Sequence, residues 1–128
     1  MGYETRLYIG EVHNSFIKGS QKNTEDCDYF GIIAMIDLCK TGIFTPNNGE
    51  PEKNTRKVYI YGTDGDTQIT KDCYGDQLFA IEPKDVLQKM IEANKQEKYR
   101  RYEAAIPLLK ALIKSFPKGT LKCILYGY

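Results

Sequence analysis

From residue 3 to residue 12 the chain alternates. Tyr3, Thr5, Leu7 and Ile9 fall on one face, and Glu4, Arg6, Tyr8 and Gly10 on the other. A period of two marks a half-buried strand. Residues 29–40 are the most apolar stretch, with Ile32, Ile33, Met35, Ile36 and Leu38. Their β-branched character predicts a central strand covered on both faces. Asp37 interrupts it, and is expected to face solvent or to cap the strand end. In residues 56–62, Val58 and Ile60 alternate with Lys57, Tyr59 and Tyr61, which predicts a third strand. Asp64 and Gly65 then tolerate the positive φ of a tight hairpin turn, and residues 67–71 return as a fourth strand. The stretches 13–28 and 41–54 are polar and rich in Asn, Gly, Pro and Asp, so they read as loops. Residues 78–81 read as a short extended piece or a lead-in to a helix.

The period changes after Glu82. Pro83 suits the first helical position, where its missing N–H would be unpaired anyway. Val86, Leu87, Met90, Ile91 and Asn94 then repeat at helical spacing, followed by Tyr99, Tyr102, Ile106, Leu109, Leu112, Ile113 and Phe116. Residues 95–98 are wholly polar, so the pattern fits two helices joined there or one long helix. Pro107 costs a backbone hydrogen bond and should kink whichever helix holds it. Pro117 and Gly119 end the region. Residues 121–126 form a final apolar strand. The expected fold is α+β: a mainly antiparallel β-sheet of about five strands, with two C-terminal helices packed on it and a final strand. One domain, 1–128, accommodates all of it.

Composition narrows the chemistry. A net charge of +1 gives no global field to draw in duplex nucleic acid or an anionic membrane, so any anion site must be local. The longest apolar run is too short to span a bilayer, and the N-terminus lacks the apolar core of a signal peptide. Position 6 is Arg where a myristoylation signal wants Ser or Thr. The four cysteines, Cys27, Cys39, Cys73 and Cys123, lack the close spacing of a zinc site and read as reduced and structural. The expected location is the cytoplasm.

Three constellations carry candidate chemistry. Asp64, Asp66, Asp72 and Asp76 could hold a divalent cation, but their spacing does not match a calcium loop, and a hairpin turn plus polar loop explains them better. His13 reads as a solvated loop histidine, because no recognised nucleophile context accompanies it. No phosphate-binding glycine motif is present. The segment 95–102 is the strongest candidate. Arg100 and Arg101 keep their charge and can grip phosphate bidentately. Tyr99 and Tyr102 share a helix face, and Asn94 can donate to and accept from a base edge. Phe79 lies just before the helix start, where a helix dipole favours anions. Arg56 and Lys57, with Arg6, form a further basic spot on the sheet. The competing reading is a solvated helix face with its tyrosines packed on the sheet, and edge-strand charge that blocks aggregation.

The opening strand of Tyr3 to Gly10, the apolar strand of Ile32 to Leu38, the strand pair, the helices from Glu82 and Pro83 and the terminal strand together resemble the first described family of phage-encoded Thoeris anti-defence proteins. The likeness covers most of the chain and rests on layout. It implies a non-catalytic sponge; separately, no cofactor and no metal are expected. Such proteins bind a cyclic ADP-ribose isomer, and some also take up cyclic di- or trinucleotides. The resemblance further implies a homodimer or homohexamer, with ligand pockets between subunits in the helical region. Side-chain chemistry, weighted by that general location, gives the expected ligand-binding residues: Phe79, Asn94, Tyr99, Arg100, Arg101, Arg56 and Lys57. Two other classes compete: a small phage protein that inhibits a host protein by direct binding, and a metal-dependent cyclic-nucleotide phosphodiesterase built on the Asp64–Asp76 carboxylates.

Overall fold

The computed structural model describes residues 4–13, 27–40 and 56–128. The two long loops expected at 13–28 and 41–54 lie almost wholly outside these residues. Strand β1 (Glu4–His13) pairs antiparallel with β2 (Asp28–Lys40) and with β5 (Leu121–Gly127). Strand β3 (Val58–Tyr61) runs parallel to β2 and antiparallel to β4 (Gln68–Ile69). The sheet order is β4-β3-β2-β1-β5. Helices α1 (Pro83–Gln96) and α2 (Arg100–Ser115) precede the last strand. The architecture is α+β, mostly antiparallel, as the alternation predicts. The open question of one helix or two resolves as two.

The helices supply one core. Val86, Met90 and Ala93 recur at i, i+4 and i+7 on α1, and Tyr102, Ala105 and Leu109 at i, i+3 and i+7 on α2. Both stripes are buried against Leu7, Ile9, Leu38, Cys123 and Leu125 of the sheet. Burial is what holds such short helices, since isolated helices of this length are marginal in water. Pro107 sits inside α2 without ending it. It and Glu103, whose carbonyl loses its partner, are both exposed, so water can replace the missing bond.

A second core forms on the other face. Phe30, Val58, Ile60, Leu78 and Ile124 are buried together there. The extended segment before α1 closes over them. Val58 N–H donates to the Leu78 carbonyl at 3.1 Å and Ala80 N–H to the Arg56 carbonyl at 3.0 Å. The next residue, Ile81, exchanges both backbone bonds with Cys123 of β5, at 2.8 and 2.9 Å. Residues 78–81 thus tie the β3 side of the sheet to the β5 edge, and the sheet wraps partly around its own inner face.

Strand β2 departs from the expectation of a fully covered centre. Ile32, Ile33 and Met35 are 43%, 45% and 53% exposed. Its register against β1 skips Leu38 and then Ile33, so the strand carries two irregularities that re-aim its side chains. Gly10 marks how closely the strands approach: a Cβ there would run into the Gly31 carbonyl oxygen. At the end of β2, Cys39 adopts φ 56°, a left-handed conformation that few non-glycine residues take. Asp37 Oδ1 accepts the Cys39 N–H at 2.9 Å and holds that bend.

Asp72 anchors the loop that follows β4. It is buried, and it accepts Tyr74 N–H at 2.9 Å, Asp76 N–H at 3.0 Å and Gly127 N–H at 3.3 Å. One carboxylate therefore orders the loop and docks it on β5. Asp72→Ala leaves those donors without their acceptor and should cost about 3 kcal/mol, read as a lower midpoint in urea unfolding with an unchanged slope.

Candidate functional site

The break between the helices builds one half of the site. Residues 95–98 offer no apolar side chain to the sheet, and α1 ends within them, at Gln96. Asn94 Oδ1 accepts the Tyr99 N–H at 2.8 Å and shapes the turn. Tyr99 then stands in extended conformation as the N-cap of α2, with no side-chain cap hydrogen bond. Arg100 and Arg101 follow as the first two helical residues, both exposed.

This corner is pinned to the end of β2. The Tyr99 hydroxyl donates to the Leu38 carbonyl at 2.6 Å, and Arg101 Nη1 donates to the Asp37 carbonyl at 2.7 Å. Burial, with Cys39 close by, pushes the Tyr99 phenol above its ordinary value, so it remains a donor. Tyr99 meets Tyr102 edge to face, with centroids 4.9 Å apart. Tyr102 is buried in the helix core. The shared tyrosine face therefore packs on the sheet, and the two guanidinium groups are what the corner presents to solvent, beside helix amides whose dipole favours anions.

Arg56, Lys57 and Phe79 lie elsewhere, where the closing segment meets β3. Lys57 bridges Phe79 in the ladder. Arg56 pairs with Asp28, the first residue of β2, in a surface ion pair of the kind worth about 0–1 kcal/mol. The seven expected ligand residues thus fall into two groups: Asn94, Tyr99, Arg100 and Arg101 at the helix break, and Arg56, Lys57 and Phe79 beside β3.

Beside the second group stands a row of rings that the sequence reading passed over. His13 belongs to β1, not to a solvated loop, and stacks on Tyr29 at 5.7 Å and 24°. Tyr29 meets Tyr59 at 5.7 Å and Tyr61 at 5.3 Å, and Tyr59 meets Tyr61 at 5.6 Å. Burial, the Tyr61 hydroxyl and the charge of Asp28 push the Tyr59 phenol up to about 12. The alternation of Val58 and Ile60 with Tyr59 and Tyr61 gave half of this signal. The pairing of His13 with Tyr29, and of Tyr29 with Tyr59, needed the sheet.

Arg6 also has a place in the folded chain. Its Nη1 donates to the Tyr8 hydroxyl at 3.2 Å, and its guanidinium carbon lies 4.4 Å from the centroid of the Tyr128 ring. The Tyr128 hydroxyl donates to Asp37. Partial burial pushes the Asp37 carboxyl up, but the Tyr128 hydroxyl, the Cys39 N–H and the Arg6 charge outweigh it and hold it below the usual carboxylate value. Burial and that same Asp37 contact push the Tyr128 phenol up to about 12.

Asp64 of the hairpin is committed to donors within its own turn. Asp64 accepts Asp66 N–H and Thr67 N–H, both at 2.9 Å, and with the Thr67 hydroxyl this holds its carboxyl down at about 2. Among the described residues no group of three or more His, Cys, Asp or Glu comes together in a way that could hold a metal ion.

Tyrosine ionisation should show the raised phenols directly. Tyr59 and Tyr128 have folded values near 12, above the unfolded value of 10, and Tyr126 is raised as well. The stability these neutral phenols contribute is complete below pH 10 and is lost as pH rises toward 12. An absorbance titration of the ten tyrosines should therefore show a late fraction that coincides with alkaline unfolding, and Tyr59→Phe should shrink that fraction.

Fold and site together describe an α+β domain on a partly closed sheet, with an aromatic row and two basic corners. No protein-family model, no curated protein and no solved structure matches the chain. Among the described residues no helix is long and apolar enough to cross a membrane.

Proposed function

We propose that this chain is a non-catalytic capture protein: a phage anti-defence sponge of the Thoeris type that binds a cyclic nucleotide immune signal in the host cytoplasm and holds it uncleaved. Its cargo in this reading is a cyclic ADP-ribose isomer, with cyclic di- or trinucleotides of CBASS defence as further cargo. Homodimers or homohexamers share the pockets. One observation carries the reading. Arg100 and Arg101 open a sixteen-residue helix whose N-cap side chain makes no cap bond, and Tyr99 and Arg101 fix that corner to β2. An exposed pair of guanidinium groups at a helix N-terminus, one of them held by a backbone carbonyl, suits a pyrophosphate. Each charge-assisted hydrogen bond contributes roughly 1.5–3 kcal/mol, and capture without turnover requires only such binding, held rigidly.

The test is to incubate the pure protein with a cyclic nucleotide, filter, and denature the retained protein by heat. Depletion of the free signal, followed by its return intact, is the expected result. A cleaved product ends the sponge reading. Native mass spectrometry of the same mixture counts subunits and cargo together.

A second reading, direct inhibition of a host protein, draws on a different observation. Strand β3 meets β2 only at Asp28 and Tyr29, so among the described residues the rest of that β2 edge carries no strand. It presents Ile32, Ile33 and Met35, and an open apolar edge is a template for strand addition by a protein. A signal left wholly free in the filtration experiment favours this reading.

A further inference from the structure

We propose that the row of rings across β1, β2 and β3 is a second binding site, separate from the helix corner, which stacks one nucleobase and receives its phosphate at Lys57. The register builds it. His13 is paired with Tyr29, and Tyr29 with Tyr59, on three neighbouring strands, while Tyr61 follows two residues later on β3. Ring centroids stand 5.3 to 5.7 Å apart along the row. Within it Tyr59 is 4% exposed and acts as a fixed support, whereas Tyr61 is 40% exposed and His13 is exposed. Ring surface is therefore open to solvent at both ends of a platform whose members hold one another in place. A base that stacks on it orders little that is not already ordered.

Lys57 supplies the charge. It is exposed, and strand alternation puts it on the same face as Tyr59 and Tyr61, opposite Val58 and Ile60. The neighbouring Arg56 is held by Asp28. A lysine on the same face as exposed aromatic rings, inclined to one another at 24° to 88°, suits a ligand with one base and one phosphate. A long polyanion is a poorer match, because a protein of net charge +1 has no global field to hold it. Gly31 shows how the platform is fitted together: a Cβ there would lie 3.1 Å from Nε2 of His13, so the imidazole leans over a position that has no side chain.

Adenosine 5′-monophosphate, adenosine and ribose 5-phosphate, titrated into the full chain and followed by the ring resonances of Tyr61 and His13, test the assignment. The monophosphate should shift both rings, adenosine should do so more weakly, and ribose 5-phosphate should leave them in place. Tyr61→Ala should weaken the monophosphate about tenfold, and Tyr61→Phe should keep most of the affinity, because both variants lose the hydroxyl and only one loses the ring. Lys57→Gln should bring the monophosphate down to the level of adenosine. The assignment falls if ribose 5-phosphate binds as well as the monophosphate, if Tyr61→Phe loses as much as Tyr61→Ala, or if single-stranded RNA binds with affinity that climbs with length. The doubly substituted Arg100→Glu, Arg101→Glu chain separates the two sites. Monophosphate binding that survives there supports an independent platform, and its loss there overturns the platform.

Discussion

Val58→Asp should abolish the fold. Val58 is completely buried in the inner core, in the cluster of Phe30, Ile60, Leu78 and Ile124. A carboxylate placed there has no cation or donor set to receive it, and burial of an unpaired charge costs several kcal/mol. Natural domains of this size are stable by about 5–15 kcal/mol, so the substitution removes most or all of that margin. The position matters doubly, because Val58 N–H also holds Leu78, and through that segment the sheet reaches Ile81 and the β5 edge. Far-ultraviolet circular dichroism should show a largely unfolded chain, and Val58→Ala, at a cost of about 2 kcal/mol, should remain folded with a lower melting temperature. A folded Val58→Asp chain with a normal melting temperature contradicts the inner core described here.

Charge reversal at the helix break should do the opposite: keep the fold and lose the ligand. The chain with both Arg100→Glu and Arg101→Glu gives up two charge-assisted contacts to phosphate, about 3–6 kcal/mol together, which weakens capture by a hundredfold or more. It also puts like charge where the anion would sit. Stability should hardly change. Acidic residues in the first helical turn interact favourably with the helix dipole, by about 0.3–1 kcal/mol each, and this offsets the loss of the Arg101 bond to the Asp37 carbonyl. Tyr99 and Asn94 still shape the corner. Calorimetry with a cyclic nucleotide reads the first effect and thermal melting the second. Unchanged affinity in the folded double variant shows that the helix corner is not the site.

The sequence foretold some elements well and others poorly, for physical reasons. Strand β1 was legible because one face is buried more deeply than the other, which writes a period of two into the chain, and β3 through the alternation of Val58 and Ile60 with Tyr59 and Tyr61, although Tyr59 is buried as well. Both helices were legible through their apolar stripes, and the polar run at 95–98 marked where they part. Strand β2 misled. Its continuous apolarity reads as burial on both faces, yet it carries two register irregularities and exposes Ile32, Ile33 and Met35. Nothing local distinguishes an apolar residue covered by its own chain from one left open. The candidate site was legible in its charges and not in its grouping. Arg100 and Arg101 are adjacent by chain connectivity, but whether Arg56, Lys57 and Phe79 join them depends on how the sheet is ordered, and it places them beside β3 instead.

From residue order alone came the kind of each element, the apolar stripes of the helical region and the local concentration of guanidinium charge, because each is set by spacing along one stretch of backbone. Pairing came only with the folded chain: residues 78–81 tying β3 to β5, Asp72 docking its loop on Gly127, and His13, Tyr29 and Tyr59 drawn into one row. These depend on strand register and sheet closure, in which residues far apart in the chain become neighbours by sharing hydrogen bonds and excluding water, and no short-range pattern encodes that choice.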